Sequence, residues 1–142
     1  MELFLGGAFQ GKLEYVKSLY PESEIFDEKN FEELSGAENS LSILNNFHLV
    51  VKSLLAPYIN CYQKNGTESE NEIQESAEDK IFKIIEKNPE IKIISDEIGS
   101  GIVPFERGDR LWRDISGRIL VKIAKKSEKV VRIICGIPQR IK

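Results

Sequence analysis

The chain has 142 residues, 41% apolar and 30% charged, the composition of an ordinary globular domain. Its 20 basic and 23 acidic side chains leave a net charge of −3, so no global field favours nucleic acid or an anionic membrane. No apolar run approaches the roughly 20 residues a bilayer span needs, and no basic segment precedes the short apolar start, which argues against a signal peptide; a cytoplasmic protein is expected.

Glu2-Leu3-Phe4-Leu5 reads as a short buried strand that runs into Gly6-Gly7-Ala8-Phe9-Gln10-Gly11-Lys12. Leu13, Tyr15, Val16, Leu19 and Tyr20 then recur at helical spacing up to Pro21, which stops the helix. Glu24–Asp27 suits a second short strand. Residues 30–39 are polar and read as turns or a short helix. Leu41 to Leu55 reads as one helix, with Leu44, Phe47, Val51, Leu54 and Leu55 on its stripe and Pro57 at its end. The acidic stretch from about 63 to 77 carries almost no apolar side chain. It is expected to be a mobile insert in a single domain spanning 1–142. The next helix opens at about Glu75 and carries Ile81, Phe82, Ile84 and Ile85.

Ile91–Ser95 is rich in β-branched residues and reads as a strand. It ends in Asp96-Glu97, followed by Gly99-Ser100-Gly101 and Pro104. A long helix from about Glu106 to Lys126 carries the stripe Leu111, Trp112, Ile115, Ile119, Ile123. Lys129–Cys135 is a further strand, and residues 139–142 allow a short last one. Strands alternating with helices predict an α/β fold with a mainly parallel sheet and helices on both faces.

Two motifs carry chemistry. Gly6 to Lys12 fits the first seven positions of G-x-x-x-x-G-K-[ST]. Such a loop wraps its amide groups around phosphate oxygens, the following helix points its positive end at the same anion, and the lysine reaches the β- and γ-phosphates. Residues Gly6 through Leu13 are therefore the candidate nucleotide-binding set. Leu13 stands where a hydroxyl would ligate Mg²⁺. The alternative is a glycine turn with a solvated Lys12. The second motif, Asp96 to Pro104, lies at the carboxyl end of a strand, where open α/β sheets bind ligands. Asp96 and Glu97 there suit Mg²⁺ binding or proton acceptance. The alternative is a capped loop.

DEIGSGIVPFERGDRLWRDISGRILVKIA, with the closing CGIPQRIK, resembles the C-terminal part of the adenosylcobinamide kinase/adenosylcobinamide-phosphate guanylyltransferase family, whose opening loop is also similar to Gly6–Lys12. The resemblance covers about half the chain, residues 1–20 and 91–142. It implies a RecA-like P-loop fold, Mg²⁺, GTP or ATP, and a corrinoid substrate, adenosylcobinamide. The family phosphorylates the aminopropanol hydroxyl and then transfers GMP from GTP through a guanylylated histidine. By this resemblance Gly6, Gly7, Gly11 and Lys12 form the phosphate loop. Glu97, Gly99, Gly101 and Pro104 carry over in the second motif, and Arg113, Asp114, Gly117 and Arg118 in the helix. Gly99, Gly101, Arg113 and Arg118 are the candidate substrate-binding residues, and Lys12 and Glu97 are candidate catalytic residues. The chain departs from the family pattern at Leu13, at Asp96 in place of Asn, at Leu120-Val121, and in an abbreviated middle. That shortening leaves less wall for a corrinoid and predicts a homo-oligomer.

His48 is the only histidine and so the only candidate guanylyl carrier. A histidine on an apolar stripe is more often a packing residue than a nucleophile. With Cys61 and Cys135 as the only thiols, no zinc site is expected and both are expected reduced. Arg107 and Arg110 are lesser candidates for phosphate charge. The competing functions are a nucleotide-binding regulatory or scaffold protein without catalysis, and a kinase of another small alcohol.

Overall fold

The computed structural model describes residues 1–37, 41–64 and 69–142, with backbone alone for 60–64. The elements run β1 (Glu2–Gly6), α1 (Lys12–Leu19), β2 (Glu24–Phe26), a 3-10 turn (Phe31–Gly36), β3 (Ser42–Leu44), α2 (Phe47–Lys64), α3 (Glu70–Lys87), β4 (Lys92–Asp96), α4 (Arg107–Lys126), β5 (Lys129–Ile134) and β6 (Ile137–Arg140). They build a six-stranded sheet in the order β2-β3-β4-β1-β5-β6. All neighbours are parallel except β5 and β6. This is the expected α/β architecture, consistent with a RecA-like P-loop fold.

The period-two pattern of the strands divides the core in two. Leu3, Leu44, Ile93 and Val130 face one side, where α2, α3 and α4 cover them. Phe4, Ile43, Ile94, Val131 and Ile133 face the other, against Val16 of α1. On α4, Leu111, Ile115, Ile119 and Ile123 are all buried. Each such side chain contributes about 1.5–3 kcal/mol by leaving water.

Three expectations change. Leu41–Leu55 is not one helix: residues 42–44 form β3, and α2 begins at Phe47. Asn46 breaks the run at φ 52, a left-handed conformation that asparagine tolerates better than most residues. Its carbonyl accepts the Leu49 amide at 2.7 Å, opening the helix. Pro57 lies inside α2 and does not end it. Residues 70–77, expected within a mobile acidic insert, form the first turns of α3. Ile73 and Ala77 there are buried against the main core, and the acids face outward. The apolar residues are few but fall four apart, on one helix face. The rest of that expected insert lies partly outside the described residues, and with it the Cys61 side chain. Among the described residues no helix is long and apolar enough to cross a membrane.

Candidate active site

β1 and β4 are neighbours, yet the chain leaves them in opposite directions. From β1 it passes through α1 towards β2 at one edge, and from β4 through α4 towards β5 on the other side. A crevice forms where such crossovers diverge. A pocket of about 430 Å³ occupies it, lined by residues 8–14, by Asn45 and Asn46 after β3, and by Asp96 at the end of β4.

Backbone geometry shapes the glycine-rich loop. At Gly6 a Cβ would run into the Ile133 carbonyl of β5, so only glycine lets the strands approach. Phe9 sits at φ 57 with its side chain fully exposed at the loop tip. Gly11, at φ 76, is the residue from which α1 starts. The helix therefore opens with its amide end at the pocket, and Lys12 is its first residue.

Lys12 is 7% exposed. Its Nζ donates to the Gly7 carbonyl at 2.7 Å and pairs with Asp96 Oδ1 at 2.5 Å. The opposite oxygen of Asp96 faces His48 Nε2 at 3.8 Å. The Asp96 amide donates to His48 Nδ1 at 3.2 Å. Nδ1 is thus an acceptor, and the proton of a neutral ring belongs on Nε2, towards the carboxylate. Burial pushes the His48 pKa down, Lys12 adds to this, and Asp96 and Glu28 oppose it; the ring is neutral at pH 7. The His48 carbonyl accepts Trp112 Nε1 at 2.7 Å, and the two rings stack at 6.3 Å. Lys52 lies 4.2 Å from the Trp112 ring centre and pairs with Asp109 at 3.2 Å. These contacts lock α2 to α4 behind Asp96.

The other candidates lie elsewhere. Glu97 turns from the pocket to pair with Arg132 at 3.0 Å, while its amide donates to the Gly6 carbonyl. Arg113 donates to the Gly99 carbonyl at 2.8 Å. With Gly117 and Arg118 these two line a separate, shallow groove of about 400 Å³. Arg118 also donates to Gln74 at 3.1 Å, and Gly101 is exposed on the loop beyond. Arg107 and Arg110 border a smaller recess with Glu70 and Asp114.

The pocket wall suits a magnesium ion only as a partner of phosphate. Mg²⁺ is commonly held by one or two carboxylates, substrate phosphates and water. Here the carboxylates of Asp96 and Glu14 and the amide oxygens of Asn45 and Asn46 are the candidate donors on the wall, Gln10 Oε1 being taken by the Cys135 amide, and Leu13 offers none. Among the described residues no three His, Cys, Asp or Glu side chains cluster to hold a metal alone. The sequence does not mark Asn45 and Asn46 as pocket residues, because one helical period runs across them. The adjacent pair of asparagines, a frequent left-handed or turn signal, was the available clue.

Comparison with known proteins covers the chain beyond the first helix. A family model described as cobinamide kinase / cobinamide phosphate guanyltransferase matches residues 24–141, beginning after the phosphate loop. Two bifunctional adenosylcobalamin biosynthesis proteins, from Salmonella typhimurium and Escherichia coli, are each 36% identical to this chain over 52 residues. That stretch is 37% of this chain and only 29% of each relative's length.

Proposed function

The chain belongs to the cobinamide kinase / cobinamide phosphate guanyltransferase family, and we propose that it performs phosphoryl transfer from GTP or ATP to the aminopropanol hydroxyl of a cobinamide in cobalamin biosynthesis. The observation that carries this reading is the Lys12–Asp96 pair at the β1/β4 crevice. A cation and a carboxylate meet there at the mouth of a helix, with a pocket in front of them.

In this reading the loop amides and the start of α1 take the nucleotide phosphates, and Lys12 moves from Asp96 to the β- and γ-oxygens. The freed carboxylate of Asp96 accepts the hydroxyl proton. The hydroxyl oxygen bonds to the γ-phosphorus, the bond to the β-phosphate oxygen breaks, and the nucleoside diphosphate leaves. Phosphoryl transfer of this kind depends chiefly on positioning and charge stabilisation. Asn45, Asn46 and Asp96 would help hold a nucleotide-bound Mg²⁺, which would neutralise phosphate charge. His48 orients Asp96 by accepting its amide.

The kinase step is preferred over GMP transfer because a guanylyl carrier needs a free imidazole lone pair. The Nδ1 lone pair of His48 is engaged, and Nε2 faces a carboxylate. Leu13 favours one rival, a nucleotide-binding protein without turnover. Incubation with cobinamide, Mg²⁺ and either nucleotide, followed by mass spectrometry of corrinoid and protein, separates these readings. Phosphorylated corrinoid and unmodified protein are expected. Binding without turnover favours the rival, and an acid-labile GMP adduct on His48 restores the transferase.

A further inference from the structure

The phosphate loop is tied to a part of the fold remote in sequence. β5 and β6 are joined by Cys135 and Gly136, at φ 49 and φ 78, a two-residue hairpin turn with both residues left-handed. The turn lies against the loop. The Gly136 amide donates to the Gln10 carbonyl at 3.0 Å, and the Cys135 amide donates to Gln10 Oε1. A Cβ on Gly11 would sit 3.5 Å from Gly136 Cα, so the two glycines are in close apposition. Gly6, at the other end of the loop, abuts the Ile133 carbonyl of the same hairpin. Gln10 thus spends its main-chain and side-chain acceptors on the hairpin.

We propose that the β5–β6 turn is a brace that holds the phosphate loop in its phosphate-receiving shape, with Gln10 as the positioning residue that joins them. The proposal rests on the reading of this loop as a nucleotide site. Its chemistry is geometric. A loop that receives an anion on its amides must hold them convergent before the anion arrives, since ordering the loop on binding costs affinity. Two amides donated by a hairpin on one glutamine fix the loop's middle without placing a side chain in the pocket.

The test uses Gln10→Met, which keeps the length of the side chain and removes its acceptor, and Gly136→Val, which strains the turn at its positive φ. Hydrogen exchange of the Cys135 and Gly136 amides is followed without nucleotide, and the Kd for GTP and ATP is measured by calorimetry. Gln10→Met is expected to speed exchange at Cys135 and to weaken nucleotide binding about 10-fold, with the thermal midpoint nearly unchanged. Gly136→Val is expected to weaken binding similarly, and the double variant to be no weaker than the worse single one, because both cut the same tie. Wild-type affinity in a folded Gln10→Met variant, or strict additivity in the pair, overturns the brace. If the unaltered chain binds no nucleotide, the nucleotide reading fails. The exchange rates then decide the brace alone: unchanged exchange at Cys135 in Gln10→Met refutes it, and faster exchange upholds the tie.

Discussion

Replacing Asp96 by Asn tests whether the carboxylate competes with phosphate for Lys12. Asp96 is 22% exposed at its side chain and holds Lys12 Nζ at 2.5 Å. A nucleotide bound as proposed would have to draw the ammonium away before the loop could use it. A hydrogen bond between charged partners is worth about 1.5–3 kcal/mol net, which corresponds to about 10- to 100-fold in a dissociation constant. Asp96→Asn removes that competition and also a negative charge beside incoming phosphates. The variant retains the backbone amide that donates to His48 Nδ1, so the ring behind it keeps its anchor. The expected outcome is tighter binding of nucleotide by about 10-fold or more, measured by calorimetry without Mg²⁺, together with loss of corrinoid phosphorylation. In a Lys12→Met background the same change should improve affinity far less, because the cation it releases is gone. Unchanged or weaker binding in a folded Asp96→Asn variant refutes the argument that Lys12 is held in reserve by this carboxylate.

Other consequences are simpler to check. Lys12→Ala should lower phosphoryl-transfer turnover by about 10²-fold or more, the usual cost of losing one charge-stabilising group in a closed site; steady-state kinetics with cobinamide measures it. Ile73→Ala should cost about 2–5 kcal/mol in urea unfolding, since Ile73 is buried against the core; a neutral result would return residues 70–77 to a loop. Burial, then the hydrogen bond to Glu2, pushes the Tyr20 phenol up to about 12 from 10.0. The neutral phenol therefore stabilises the fold fully below pH 10 and ceases to do so as pH rises through about 12. Tyr20→Phe should flatten that alkaline decline in thermal midpoint, and an unaltered slope counts against it.

The strands were legible because their apolar residues alternate or run together between turn signals. Phe4 and Leu3 face opposite sides of the sheet, as period two demands. The turn from β1 into α1 was legible from its glycines, and the carboxyl end of β4 from Asp96 following a β-branched run. The breaks were harder. Leu41 to Leu44 and Phe47 to Leu55 join into one helical period if the two asparagines between them are ignored, and the strand is only three residues long. The acidic segment failed for the opposite reason. Its charge dominated the composition, while Ile73, Ala77 and Ile81 sat four residues apart, enough for one buried helix face.

Site membership depends on adjacency, which local pattern does not contain. Asp96 and Glu97 are equivalent in sequence, consecutive acids at a strand end. The pleat sends them to different partners: Asp96 meets Lys12, and Glu97 meets Arg132. The same argument separates Lys12 from Arg113. Both belong to motifs that suggest phosphate, yet Lys12 opens α1 into the crevice while Arg113 binds the Gly99 carbonyl over a different groove. That second groove holds two arginines and lies on α4, the helix that also carries Trp112 against His48. A ligand seated on α4 and a nucleotide seated against Asp96 would therefore act on the two sides of one packed contact between α2 and α4. Trp112→Phe, which removes the donor to the His48 carbonyl and keeps most of the ring, should then raise the KM for the corrinoid or lower kcat by severalfold while leaving nucleotide Kd near the wild-type value. Equal losses in nucleotide affinity would mean that Trp112 only supports the pocket.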